Sequence, residues 1–380
     1  MSSRFQAVPS PCFVIEESRF RANLDLISRI KKEAGVEIIP AFKGFSMWGV
    51  FPILREYVTG ASASSLNEAQ LCYEEIKAKA HTYAPAYNPA EFNEILSYSS
   101  HLVFNSMAQF YRHIKEVNQF SEKISVGLRV NPEFSEVEPI IYNACAPGSR
   151  LGILAEHLPE ILPPEVEGLH FHTLCESGAS DLEKTLEAFE THFARYIPQI
   201  KWINMGGGHL MTRKGYDVEK LIDLLKKFKA KYNKHIILEP GSAFAWETGV
   251  LVATVLDVVE NKGIKTAMLD VSFAAHMPDC LEMPYKPKIE GSYFKLIPGK
   301  PTYRMGGNSC LSGDFVGLWS FDEELKAGDR VIFEDMIHYT MVKTNFFNGV
   351  GHPSIGVLRT NGNFELLRSF GYLEYKNKLS

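Results

Sequence analysis

Between residues 36 and 240 the chain alternates short apolar, β-rich runs with segments whose apolar positions recur at helical spacing. The runs are VEIIPAFK, EYVTGASA, HTYAPA, HLVFNS, KISVGLRVN, VEGLHFHT, IKWINMGGG and HIILEPGSA, eight in all. Between them, Leu66, Ala69, Gln70, Tyr73 and Ile76 follow a capping box of Ser65 and Glu68, and Leu182, Leu186, Phe189 and Phe193 repeat the spacing further on. Such alternation predicts parallel strands joined by crossover helices, and eight units in succession predict a (β/α)8 barrel of the TIM type.

After Ala245 the texture changes. VLVATVLDVVENKGIKTAMLDVSF, GSYFKLI, PTYRMGG, GDRVIFEDM and FELLRSFGYLE are β-rich and separated by Gly, Pro and Asn turns, which predicts a second, mainly β domain. The opening CFVIEE is a lone strand before a helix expected from Ser18 to Glu33, and it is available to pair into that C-terminal sheet. The expected division is a barrel over residues 16–245 and a β domain made of residues 1–15 and 246–380, the second completing the active site. No internal repeat interrupts this pattern.

Composition narrows the class. Of 380 residues, 45% are hydrophobic and 22% charged, with a net charge of −5, which excludes a disordered chain and argues against a nucleic-acid partner. The start MSSRFQAVPSPCF has no basic region followed by a long apolar one, and stretches such as LVATVLDVV are far short of a membrane span, so a cytoplasmic location is expected. Six cysteines (Cys12, Cys72, Cys145, Cys175, Cys280 and Cys310) are scattered with no CxxC pair, which indicates neither a zinc ribbon nor a disulfide framework; no metal site is expected.

In a barrel of this kind, catalytic groups sit where strands end and the following loops begin. Those ends carry Lys43, Arg129, His172, the glycines from Gly206 to Gly208, and Glu239. Taken singly each has an ordinary explanation: a lysine that snorkels, a core histidine, a plain turn. Their shared rim changes the reading. A Gly-rich loop after the seventh strand, with the turn after the eighth, is a common phosphate cradle in such barrels. A lysine in the same mouth forms a Schiff base once its ammonium is desolvated. Together they suggest pyridoxal phosphate, with Glu239 as the partner that keeps the pyridine nitrogen protonated and His172 as a ring stacked on the cofactor.

PAFKGFS, GLRVNP, HFHT, MGGGH, LEPGSAF, GGNSCLSGD and YTMVKTNFFNG stand in the order and context of the fold-type III pyridoxal-phosphate decarboxylases, which the chain resembles over nearly its whole length. The resemblance implies the alanine racemase-like fold and a carboxy-lyase. LDVSFAAHMPDCLEMPYKP and GGNSCLSGD are similar to the polyamine-forming branch, which implies carboxynorspermidine or carboxyspermidine as substrate. It further implies Lys43 as the Schiff-base lysine, His172 as the stacking ring, and Gly207, Gly208, Gly241 and Tyr339 as phosphate ligands. Glu239 becomes the pyridine-nitrogen partner and Arg129 a rim arginine that orders the site. Cys310 is implied as the acid that returns a proton to Cα, supplied by a second subunit in a homodimer with shared sites, and Asp270 as an acidic position near the distal amine.

Two departures from the family pattern bear on specificity. Many relatives have an arginine two residues after the Glu-Pro pair, where this chain has Ser242, so phosphate binding would lean on backbone donors and hydroxyls. Relatives that act on ornithine or diaminopimelate carry an acid directly after the cysteine, where this chain has Leu311. A longer substrate with several amines needs acids elsewhere, and Asp270, Asp279, Glu282 and Asp314 are the candidates. The alternatives are a diaminopimelate decarboxylase, a racemase on the same fold, and a non-catalytic relative that binds a partner protein.

Overall fold

The computed structural model describes residues 3–380, which form two compact units, one of residues up to 22 together with 245–380 and one of residues 23–244. Strand β1 (Cys12–Glu16) leads into a helix over Glu17–Ala34. Then come β2 (Glu37–Ile38), β3 (Ser62–Ala63), β4 (Ala80–Tyr83), β5 (Ser99–Phe104), β6 (Ser125–Arg129), β7 (Val166–His170), β8 (Trp202–Asn204) and β9 (His235–Leu238).

These eight strands, β2 to β9, are parallel and ordered β2-β9-β8-β7-β6-β5-β4-β3. The remaining gap is closed by a parallel bridge of Ala41 to Ser62, with the Phe42 N–H donating to the Ser62 carbonyl at 3.1 Å and the Ser62 N–H to that of Pro40 at 2.8 Å. The expected barrel is therefore present. Ile39, Val103, Trp202 and Ile237 form an apolar cluster among its strands. Trp202 lies so close to β7 that a Cβ at Gly168 would fall 2.0 Å from the indole, so only glycine fits there.

The helix behind Ser65 departs from the expected spacing. Ser65 Oγ does accept from the Glu68 N–H (3.2 Å), but the helix Leu66–Leu71 widens into a π-turn over Cys72–Ile76. One extra residue per turn rotates the register, which buries Cys72 and leaves Tyr73 half exposed. The helix Ala179–Phe193 keeps its register, with Leu182, Leu186, Phe189 and Phe193 buried.

The other unit is an eight-stranded sheet. It contains β10 (Gly249–Asn261), β11 (Ile264–Leu269), β12 (Thr302–Gly306), β13 (Phe315–Ser320), β14 (Arg330–Glu334), β15 (Ser354–Leu358) and β16 (Phe364–Arg368). β1 lies between β10, antiparallel, and β15, parallel, so the opening strand belongs to this sheet. Phe5, Val8, Cys12, Val14, Val250, Val252 and Ile332 make its core cluster. GSYFKLI, read above as β-rich, is turn and coil with one bridge, Tyr293 to Ser320, and FELLRSFGYLE splits into β16 and a helix from Tyr372 to Leu379. β-propensity forms a strand only where a neighbouring edge is open to it. Among the described residues no helix is long and apolar enough to cross a membrane.

Candidate active site

The barrel unit gathers Lys43, Arg129, His172, the 206–208 loop and Glu239 at the C-terminal ends of its strands. Lys43 sits in the turn after β2, and its Nζ lies 3.2 Å from His172 Nε2. The Gly207 N–H donates to His172 Nδ1 at 2.8 Å. Burial above all pushes the His172 pKa well below its ordinary value, and the charge of Arg129 adds to it, so the ring is neutral. A neutral ring whose Nδ1 accepts must carry its proton on Nε2. That Nε2–H therefore donates to Nζ, and only an unprotonated amine has the lone pair to accept it.

Electrostatics agree. Solvent reaches Lys43, yet the surrounding protein desolvates its ammonium and lowers its pKa; Arg129 adds to this, while Glu239, Glu68 and Cys175 oppose it. A lysine whose ammonium is disfavoured in this way yields a nucleophilic amine more readily than an ordinary one. Arg129 is buried at the end of β6, donates from Nη2 to the His172 carbonyl at 3.1 Å and lies 4.6 Å over the Tyr83 ring, so it props the loop that aims the imidazole.

Glu239 follows β9 and is 7% exposed. Its Oε1 accepts from Asn204 Nδ2 at 2.7 Å and its Oε2 from Ser62 Oγ at 2.9 Å. Burial raises its pKa, and those two hydrogen bonds, with the charge of Arg129, resist the rise. Asn204 also ties down the glycine loop, since its Oδ1 accepts from the Gly206 N–H at 2.8 Å. The loop needs bare backbone: Gly208 has φ +89°, and a Cβ there would lie 2.1 Å from the Leu174 carbonyl oxygen. Gly241 and Ser242 follow Glu239 in the turn after β9, Ser242 being almost fully buried.

Several of these groups were not read from the sequence. Ser62 and Asn204 hold Glu239, and Glu68, read as a capping residue, accepts from the Ser64 N–H at 2.6 Å and is electrostatically coupled to Lys43. A signal existed for Asn204: an amide inside an otherwise apolar strand, two residues before a glycine run. Ser62 carried none.

The sheet unit holds the remaining candidates. Cys310 is exposed in the loop between β12 and β13, and its N–H donates to Asn348 Oδ1 at 2.6 Å. Asp314 is 4% exposed and accepts from the Ser309 N–H (3.1 Å), Ser309 Oγ (2.6 Å) and the Ala274 N–H (3.0 Å), which makes it the clasp of the loop that presents Cys310. Asp270 accepts from the Thr254 N–H at 2.8 Å and from Ser10 Oγ at 2.6 Å. Glu282 pairs with Lys343. Asp279 differs: its Oδ2 accepts from Tyr285 and from Thr340, each at 2.9 Å, while its Oδ1 is buried with no hydrogen-bond partner among the described residues. Tyr339, partly exposed, holds φ +42°, a left-handed conformation that is strained for a tyrosine.

A free amine at a barrel rim, a pinned carboxylate beside it and a glycine loop of bare backbone suit an aldehyde-bearing, phosphorylated heterocycle. Residues 12–337 match the family described as "Pyridoxal-dependent decarboxylase, C-terminal sheet domain". The chain belongs to the pyridoxal-phosphate-dependent decarboxylases: it is an enzyme, and its cofactor is pyridoxal phosphate. It is 49% identical to a carboxyaminopropylagmatine decarboxylase of Synechocystis sp., over 99% of this chain and 97% of that one. It is 41% identical to a carboxynorspermidine/carboxyspermidine decarboxylase of Campylobacter jejuni over 98% of each. A crystal structure of carboxynorspermidine decarboxylase from Campylobacter jejuni complexed with norspermidine superposes with a TM-score of 0.91 at 40% identity, covering 98% of this chain and all of that one.

Proposed function

We propose that the enzyme decarboxylates carboxynorspermidine or carboxyspermidine, yielding norspermidine or spermidine in polyamine synthesis. The observation that carries the reading is the full-length likeness to the Campylobacter jejuni proteins, one of them complexed with norspermidine. Leu311, where relatives acting on ornithine or diaminopimelate have an acid, argues against a short distal head group. Asp279, with one buried oxygen unpartnered, is the acid best placed in chemistry to take a substrate amine.

When bound, pyridoxal phosphate supplies an electron sink for the pair left on Cα as carbon dioxide departs. Lys43 Nζ, its ammonium disfavoured by burial and by Arg129, would hold the cofactor through its aldehyde group. Glu239 would hold a proton at the ring nitrogen, and His172 would pack on the ring. Gly207, Gly208 and Gly241 offer bare backbone to the phosphate, and Ser242 offers a hydroxyl. The Gly207 N–H itself is engaged by His172, so the loop's contribution falls first on its other donors. Cys310 delivers a proton to Cα; its thiol is exposed on a loop held by Asp314 and Asn348. We place Cys310 in the site of a second copy, in a cytoplasmic homodimer, a setting in keeping with six free cysteines.

A second reading has an observation of its own, the 49% identity to a carboxyaminopropylagmatine decarboxylase. That substrate ends in a guanidinium rather than an ammonium, a planar fork that suits a carboxylate with both oxygens available. Carbon dioxide release by the holoenzyme from carboxynorspermidine, carboxyspermidine, carboxyaminopropylagmatine and meso-diaminopimelate separates the readings. A kcat/KM at least tenfold higher for either carboxylated triamine supports the first. Preference for the guanidino compound installs the second, and turnover of meso-diaminopimelate alone removes both.

A further inference from the structure

The interior of a (β/α)8 barrel is ordinarily filled by branched apolar side chains. Here β4 contributes His81 and β7 contributes His170, 7% and 3% exposed, to the space around Glu239. His81 Nδ1 lies 3.9 Å from Glu239 Oε1, and His170 Nε2 lies 3.9 Å from Oε2. Among the described residues neither nitrogen has a hydrogen-bond partner, nor does His170 Nδ1. Buried polar atoms are rarely left so without a purpose. Each carboxylate oxygen thus has one close neutral donor, Asn204 or Ser62, and one imidazole nitrogen just beyond hydrogen-bond reach.

We propose that His81 and His170 are positioning residues that fix Glu239 as an anion aimed at the cofactor's ring nitrogen. The inference rests on the reading of Glu239 as the ring-nitrogen partner and extends it to two residues packed against that carboxylate. Both imidazoles are neutral. Burial keeps protons off each; the charge of Arg129 reinforces this around His170, and His101 and His235 do so around His81, where Glu37 opposes. That neutrality matters, because an imidazolium at either place would cancel the carboxylate's charge and compete with the ring nitrogen for it. Four neutral dipoles stabilise the anion while leaving its charge for the cofactor. The rings are braced from behind: His81 packs against His101 with centroids 3.9 Å apart and the planes tilted by 41°, and His170 meets the Tyr83 ring edge-on at 5.5 Å.

The test reads the protonation of the ring nitrogen in holoenzyme loaded with 15N-labelled pyridoxal phosphate, by its 15N chemical shift, beside kcat, KM and thermal melting. His81→Leu and His170→Leu are expected to move the shift from the protonated toward the neutral range and to lower kcat about tenfold each, with KM within twofold. His81→Asn puts an amide near the Nδ1 position and His170→Gln puts one near Nε2, so both are expected to restore shift and rate. Folded leucine variants that keep the wild-type shift and kcat would overturn the proposal. So would Asn and Gln variants that melt like the wild type but fail to restore the shift. If leucine prevents folding, the exchanged pair His81→Gln and His170→Asn, polar but of the wrong reach, takes its place under the same expectations. Glu239→Gln separates the two levels: a shift unmoved by it removes the Glu239 reading itself, whereas a shift moved by Glu239→Gln but by neither histidine overturns this inference alone.

Discussion

His172 Nε2 donates to the Lys43 amine across 3.2 Å because the Gly207 N–H has already claimed Nδ1. The backbone of one strand end thereby sets the tautomer of a ring from the neighbouring strand end, and that tautomer sets the protonation state of the lysine. The arrangement turns a glycine loop into a device for making a nucleophile.

Removing the donor while keeping an aromatic ring should expose that linkage. In His172→Phe the free amine loses its hydrogen bond, so the ammonium is favoured and the pKa of Lys43 rises toward the ordinary value. Cofactor loading, followed as borohydride-trapped label on Lys43, should then have its pH midpoint displaced upward, while Lys43→Ala should trap no label and show no turnover. Loading with an unchanged pH profile in His172→Phe would detach the ring from the lysine's chemistry.

The strand ends were legible because they combine three local signals: a β-rich run, a turn residue and a polar group between. Lys43, Arg129, His172 and Glu239 could be found that way. The groups that tune them could not, since their partners are remote in the chain; Ser62 and Glu239 are separated by 177 residues. His170 was within reach, as it is the last residue of β7, two positions before His172. The acids were harder still. Nothing in LDVSF says that Asp270 is claimed by Ser10, 260 residues upstream, or in LSGD that Asp314 folds back on Ser309.

That difference among the acids makes a prediction. Asp270→Asn weakens the bonds from Thr254 and Ser10, at a cost of roughly 1–2 kcal/mol in stability, with KM for the triamine unchanged. Asp279→Asn should instead raise KM several-fold with little change in melting temperature. Equal KM effects from the two would return Asp270 to the substrate site.

Cys310 and Asp314 should separate in another way. Cys310→Ala removes the acid, and general acid catalysis is typically worth about 10²–10⁴ in rate, so kcat should fall by that order while cofactor affinity holds. Asp314→Asn keeps the thiol but loosens its loop, so the fall should be smaller and accompanied by a lower melting temperature. An unchanged kcat in Cys310→Ala would remove its assignment as proton donor.

Buried histidines also set the enzyme's acid limit. Burial holds His81 at about 3, His209 at about 4 and His276 at about 3, all below the 6.5 of an exposed imidazole. Below pH 6.5 the unfolded chain binds protons that the folded one refuses, so stability falls with acid and levels off above that value. Each such group contributes up to about 1.4 kcal/mol per pH unit between its folded and unfolded pKa. Glu37 acts in a lower window: its hydrogen bond from His235 holds the carboxyl at about 2, so the stabilisation it gives is present above pH 4.5 and is lost on the way down to 2. Urea denaturation at pH 7.5, 6.5, 5.5 and 4.5 should therefore give a plateau between the first two and a steepening loss below. His276→Gln should be less stable at pH 7.5 yet lose less between 6.5 and 4.5, and identical slopes for the two proteins would show that His276 is not among the groups that resist protonation.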